Sequence, residues 1–135
     1  MTPPALLVAC ESFDGELDAL QVARAIGRGL CRGNADLSVD LCPVDALPVD
    51  FDIRLRGARA VVLAAGHLDH ETLIRGGGAF EIATRARQAG VPAYAVTRHN
   101  ALDLFEMRIL DLQAVLEARD AKELEAAGRK LAQLA

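Results

Sequence analysis

The chain has 135 residues, the length of one ordinary domain, and its 52% apolar and 25% charged composition is typical of a globular rather than a disordered protein. Its formal net charge of −4 comes without a cluster of Lys and Arg, so nucleic acid and anionic membrane surfaces are excluded as partners. No apolar run approaches the roughly 20 residues needed to cross a bilayer.

The first element in chain order is a strand at residues 5–10, a short and continuous apolar run that ends in a turn. Asp18 and Gln21 have the spacing of a capping box. Apolar residues then recur at every fourth position from 22 to 30, which predicts a helix that ends at the Gly-Asn pair 33–34. Residues 37–42 alternate apolar and polar, which predicts a second strand, and residues 43–52 predict a connector.

The rest of the chain continues the alternation of strands and helices. The predicted elements are a third strand at 60–65, a long polar loop at 66–78, a helix at 79–88 closed by Gly90 and Pro92, a fourth strand at 93–97, a short helix to about 107, a fifth strand at 112–116 and a helix at 120–134. We expect Asn100 to cap the short helix, and Asp120 and Glu123 to form a capping box at the last one.

Strands that alternate with helices predict a single α/β domain over residues 1–135. Its three layers, in the order αβα, have a mostly parallel, doubly wound sheet in the middle. Five strands favour the flavodoxin-like order 2-1-3-4-5. In that order the ligand crevice lies between strands 1 and 3, at their carboxyl ends.

The cysteines and the amino terminus indicate in which cell compartment the protein lies. Cys10, Cys31 and Cys42 are odd in number and have no CxxC spacing, so we expect three reduced thiols that pack as small core hydrophobes. Residues 1–4 lack the charged and apolar regions of a signal peptide. We therefore expect a cytoplasmic protein.

Acidic side chains follow both strands that flank the predicted crevice. Glu11, Ser12 and Asp14 come after the first strand, and Asp69 and Glu71 come after the third. Two interpretations are open: a carboxylate-rich pocket able to hold a divalent cation, or a pair of solvated loops whose acids cap nearby helices.

Other motifs near this edge each allow a functional and a structural interpretation. His67, Asp69 and His70 are potential transition-metal ligands, but no further ligand stands at a recognisable spacing, so we predict no metal site. The glycines at 76–78 suit either an anion cradle or a hinge. The segment 98–100 suits an anion contact or a helix cap, and Leu102, Phe105 and Met107 are expected to be core or interface residues.

Three segments of the chain resemble the bacterial glycerate kinases. Residues 9–23 match a strand, an SFKGS-type turn and a helix that begins SALEVA; residues 60–73 match an ADLVITGEG-type strand followed by RLDxQTL; residues 88–96 match an AGVPVIAL strand. The resemblance covers residues 5–45 and 55–134. Asp14 stands where the turn lysine belongs, and the second motif lysine is absent near Arg75.

The resemblance implies a site but also a missing part. The ligand-binding candidates that it marks are Ser12, Phe13, Asp14, Gly66, Asp69, Thr72 and Arg75; it leaves the catalytic residues unknown. The family inserts a second α/β domain after its second strand, where this chain has only a linker at about 43–54.

Three functions follow from the resemblance. The first is a degenerate, non-catalytic relative that binds a small organic acid or phosphate or acts as a regulatory module. The second is a phosphotransferase completed by a homodimer or a partner chain that covers the face of the absent domain; ATP and Mg²⁺ are implied cofactors only in this case. The third is a protein-interaction domain without a small-molecule ligand.

Overall fold

A computed structural model describes residues 4–13, 15–44, 47–75 and 78–135. The strands are β1 (Leu6–Cys10), β2 (Val39–Pro43), β3 (Ala60–Leu68), β4 (Ala93–Asn100) and β5 (Leu112–Glu117). The helices are α1 (Ala19–Gly33), α2 (Phe51–Arg56), α3 (His70–Arg75), α4 (Gly78–Ala89), α5 (Leu104–Ile109) and α6 (Ala121–Leu134).

The strands form one parallel sheet in the order β2-β1-β3-β4-β5, which confirms the predicted flavodoxin-like α/β fold. β1 lies at the centre, with Val8 in register with Leu41 of β2 and Val62 of β3. Every residue of β1 is buried, because helices cover both faces of a parallel sheet.

Alternate residues of each strand feed two separate cores. Leu6 and Val8 of β1 pack into a cluster with α1 and α6, whereas Leu7 and Ala9 pack into a second cluster with α2 and α4. The period of two that separates these sets is that of a strand buried on both faces.

The helix caps predicted for α1 and α6 are present in full at α1 and in part at α6. The predicted capping box of Asp18 and Gln21 is present at α1, and Asn34 ends that helix. At α6, Asp120 caps Glu123 N as expected, but Glu123 accepts a hydrogen bond from Arg119 N and not from Asp120 N. The prediction of a second capping box is therefore right for one of its two hydrogen bonds and wrong for the other.

Two short helices occupy segments where the sequence predicts loops. α2 begins at Phe51, inside the predicted connector, because Phe51 and Leu55 are both buried one helical turn apart. β3 continues to Leu68 and is followed by α3, so the predicted loop at 66–78 is largely structured. Gly76 and Gly77, two of its three glycines, lie outside the described residues.

Two further expectations are corrected in the second half of the chain and in α1. Asn100 ends β4 and does not cap α5; Asp103 caps it, in a capping box with Glu106. Cys10 and Cys42 are buried as predicted, but Cys31 lies on the exposed side of α1 and is not a core residue.

No described helix is long and apolar enough to cross a membrane.

Candidate functional site

A crevice of about 230 Å³ opens where the chain leaves β1 and β3. These strands are parallel neighbours, and β2 lies on the other side of β1, so the crevice is at the switch point of the sheet. The residues that line it are Glu11, His67, Asp69, Glu71, Thr72, Arg75, Gly78 and Ala79. The expected meeting of the two strand ends is thus present in the described part of the chain.

Glu11 brings a negative charge to the head of α4. Its backbone N–H donates to Ala64 O at 2.9 Å, which ties the end of β1 to β3. Its carboxylate lies against Gly78, the first residue of α4, so closely that a Cβ on Gly78 would stand 2.6 Å from Glu11 Oε1. The amino end of a helix carries partial positive charge, so the carboxylate is well placed there. This end of the crevice therefore already holds an anionic group.

Asp69 and Thr72 close the first turn of α3 on one another. Thr72 N donates to Asp69 Oδ1, and Asp69 N donates to Thr72 Oγ1, each at 3.1 Å. This reciprocal arrangement satisfies backbone donors that a helix start leaves without partners. The structural interpretation, acids that cap helices, thus describes Asp69.

Arg75 is the one guanidinium among the described residues that line the crevice. It pairs with Glu71 one turn earlier on α3, at 3.0 Å, and both side chains are largely exposed. Exposed pairs of this spacing stabilise a protein by only about 0.3–0.5 kcal/mol. Another anion can therefore replace Glu71 as the partner of Arg75 at little cost in free energy.

Four of the seven predicted candidates line a cavity among the described residues. Asp69, Thr72 and Arg75 line the crevice. Ser12 lines a separate depression at the start of α1, together with Asp18 and Gln21.

The remaining candidates do not line either cavity through a described side chain. Phe13 is fully buried in the core, where its backbone bridges to Leu17. Gly66 is a buried residue of β3. Asp14 lies outside the described residues, and its role stays a prediction.

The residues considered as metal ligands do not gather at one point. In the ranges described, no group of three or more His, Cys, Asp or Glu side chains is placed to hold an ion. His67 and Asp69 line the crevice, whereas His70 contacts Glu106 on α5.

Two side chains of the segment 98–100 form contacts within the protein. Arg98 pairs with Glu16 at 3.3 Å, and Asn100 accepts a hydrogen bond from Leu102 N through its side chain.

Cys10 precedes Glu11 and is kept as a neutral thiol. Burial raises its pKa, and the nearby Cys42 and Glu11 raise it further. A protonated, fully buried thiol is neither a nucleophile nor a metal ligand at neutral pH.

Sequence reasoning missed the pair formed by His70 and Glu106. The Asp103-x-x-Glu106 capping box is a sequence signal that places Glu106 in the first turn of α5, but it does not identify His70 as the partner. The assignment of the cap to Asn100 hid that signal.

A scan against protein-family models finds none that matches the chain, and no curated protein matches it.

Proposed function

We propose that the chain is a non-catalytic relative of the bacterial glycerate kinases that binds a small hydroxy acid in the crevice between β1 and β3. The observation that carries this proposal is the charge of the crevice. Among its described lining residues, three carry carboxylates (Glu11, Asp69 and Glu71) and one, Arg75, carries a guanidinium that is paired with Glu71.

This charge balance opposes phosphoryl transfer. Kinases position a nucleotide and stabilise the negative charge that spreads over the transferred phosphoryl group, chiefly with cations. Here a triphosphate would meet Glu11 at the head of α4. Both lysines of the chain, Lys122 and Lys130, lie on α6, which packs on the opposite face of the sheet. Repulsion therefore replaces the attraction that the reaction requires.

A hydroxy acid suits the same groups. Its carboxylate can pair with Arg75 in place of Glu71, and its hydroxyl groups can donate to the carboxylate oxygens of Glu11 or Asp69. Drug-sized ligands occupy cavities of about 300–1,000 Å³. The crevice of about 230 Å³ is below that range and favours a smaller molecule.

Calorimetric titration with four probes tests this function: glycerate, glycerol, inorganic phosphate and ATP with Mg²⁺. Glycerol has the hydroxyl groups without the carboxylate, so it isolates the contribution of Arg75. We expect saturable binding of glycerate alone. Arg75→Gln should weaken it about tenfold, the effect of one charge-assisted hydrogen bond. Arg85→Gln should not, because Arg85 forms a similar pair with Glu81 outside the crevice.

Two results would overturn the proposal. One is ATP that binds with Mg²⁺ more tightly than glycerate does. The other is ATP-dependent phosphorylation of glycerate by the purified chain.

A protein-interaction role is the second candidate, and exposed apolar side chains favour it. Leu104 and Phe105 begin α5 at the carboxyl edge of the sheet and are 74% and 71% exposed, and Ile74 of α3 is 65% exposed. Sedimentation over a range of concentrations tests a homodimer at this edge. A mass that rises above 14.4 kDa, and that Leu104→Gln with Phe105→Gln lowers, would support it. Leu134→Gln, at the far end of α6, is the control. A monomer at every concentration contradicts the homodimer.

A further inference from the structure

The helix α3 supplies one wall of the crevice, although it has little packing of its own. None of its six residues, all of which are described, is fully buried, and Leu73 packs only partly against the core. Six residues are also far fewer than a helix needs for stability by itself. Contacts with neighbouring elements must therefore hold Glu71, Thr72 and Arg75 at the crevice.

The contact across to α5 is made by His70 and Glu106. The Glu106 side chain is only 10% exposed, and its two carboxylate oxygens have different partners. Oε1 accepts from Asp103 N at 3.0 Å within the capping box, and Oε2 is 2.9 Å from His70 Nδ1. A buried carboxylate that is left without a hydrogen-bond partner costs free energy. The burial of Glu106 on α5 therefore strongly favours its contact with His70.

The carboxylate also fixes the position of a hydrogen on His70. An ionised carboxylate only accepts hydrogen bonds, so Nδ1 must carry the hydrogen, in a neutral Nδ1–H ring or in the imidazolium. The hydrogen on Nδ1 can be observed directly. A histidine that lay near Glu106 without donating to it would not need a hydrogen at that position.

We propose that His70 is a positioning residue: by donating through Nδ1 to the buried Glu106, it holds α3 against α5 and thereby sets the wall of the crevice. The positioning of α3 stands independently of any ligand. The effect on glycerate affinity rests on the proposed function.

Three variants test the proposal. His70→Ala removes the donor. His70→Asn restores an N–H donor at a position comparable to Nδ1. His99→Ala removes an exposed histidine of the neighbouring strand β4 and serves as the control. The readouts are hydrogen exchange of the backbone amides of α3, the ¹⁵N shifts of the His70 ring, and glycerate affinity.

We expect His70→Ala to speed exchange in α3 about tenfold, which corresponds to the loss of one hydrogen bond to a charged group. Exchange in α1 and α6 should not change. His70→Asn should recover most of the protection, His99→Ala should leave it intact, and the ¹⁵N shifts should show hydrogen on Nδ1. Glycerate affinity should fall in parallel with the protection of α3.

Unchanged exchange in His70→Ala, or a neutral ring with its hydrogen on Nε2, would overturn the proposal. Should His70→Ala fail to fold, the exchange in His70→Asn and the ring shifts of the unmodified chain decide the question. If the unmodified chain does not bind glycerate, the proposed function fails, whereas the exchange and ring measurements still decide the role of His70.

Discussion

The carboxylate of Glu11 sets the charge at one end of the crevice. It lies at the positive end of α4, a position that a phosphate group would otherwise find favourable. Gly78 makes this possible, because any Cβ there would meet the carboxylate. The proposed preference for a hydroxy acid over a nucleotide rests on this arrangement.

The charge of Glu11 should also stabilise the fold. We expect Glu11→Gln to lower the free energy of unfolding by about 1 kcal/mol, since an anion at a helix start is worth about 0.3–1 kcal/mol or more when partly buried. Glu71→Gln, an exposed residue in a surface pair, should cost less than about 0.5 kcal/mol. Urea denaturation of both variants measures the difference, and equal stabilities would show that the head of α4 does not sense the charge.

The three cysteines should differ sharply in reactivity. Cys31 is exposed, whereas Cys10 and Cys42 are buried, and burial raises the pKa of both of these thiols. At pH 8 in native buffer, a thiol reagent such as DTNB should react rapidly with Cys31 and with neither buried thiol. Cys31→Ser should abolish the rapid phase. A rapid phase that persists in this variant would contradict the burial of the other two.

The raised pKa of Cys10 also predicts how stability depends on pH. The unfolded chain ionises this thiol near its ordinary value of about 8.5, while the folded chain keeps it protonated. Its contribution to stability is therefore complete below about pH 8.5 and is lost as the pH rises further, by up to about 1.4 kcal/mol per pH unit.

Urea unfolding between about pH 8 and pH 10 measures this loss. The Cys10→Ala variant lacks the titrating group, so its stability should start lower at neutral pH and decline less steeply. Parallel declines in the two proteins would show that Cys10 does not contribute.

Among the elements, the helices α1 and α6 pack with their backbones in close contact. A Cβ on Gly29 would collide with the carbonyl oxygen of Glu125, and a Cβ on Gly128 would collide with that of Ile26. Glycine at both positions lets the two backbones touch. The pair forms the outer layer over one face of the sheet.

Alanine at Gly29 and at Gly27 should distinguish the cost of a backbone collision from the gain in helix propensity. Gly29→Ala forces the backbone of α6 to move and should lower the free energy of unfolding by about 3 kcal/mol. Gly27→Ala, two residues earlier on α1, meets the movable Leu41 side chain at 3.0 Å. There the gain in helix propensity of about 1 kcal/mol offsets the tighter contact. Thermal unfolding of both variants checks the contrast, which similar losses would contradict.

The elements also show which features a sequence reveals. The strands and the helices α1, α4 and α6 have continuous apolar runs, long apolar stripes or caps, so they were predictable in place and type. The short helices α2 and α3 carry one or two partly buried turns, which is too little periodicity to separate them from polar loops. The start of α5 was misplaced because Asn100 and Asp103 are both capping residue types, and only Glu106 distinguishes them.

At the scale of the whole molecule, sheet order is what makes a crevice predictable. Alternating strands and helices predict the order 2-1-3-4-5, and that order brings the ends of β1 and β3 together. Asp69 and Thr72 could be placed there from the sequence. The contacts of Glu11 with α4 and of His70 with α5 join residues far apart in the chain, and no local pattern encodes them.

Chemical-shift mapping of the ¹⁵N-labelled chain tests most directly whether this crevice takes a small hydroxy acid and refuses a nucleotide. Titration with glycerate should shift the backbone amides of Glu11, Thr72 and Ala79 saturably, because these residues line the crevice and come from three separate segments. ATP with Mg²⁺ at the same concentrations should leave them in place. Saturable shifts of these amides by ATP, or none by glycerate, would contradict the account.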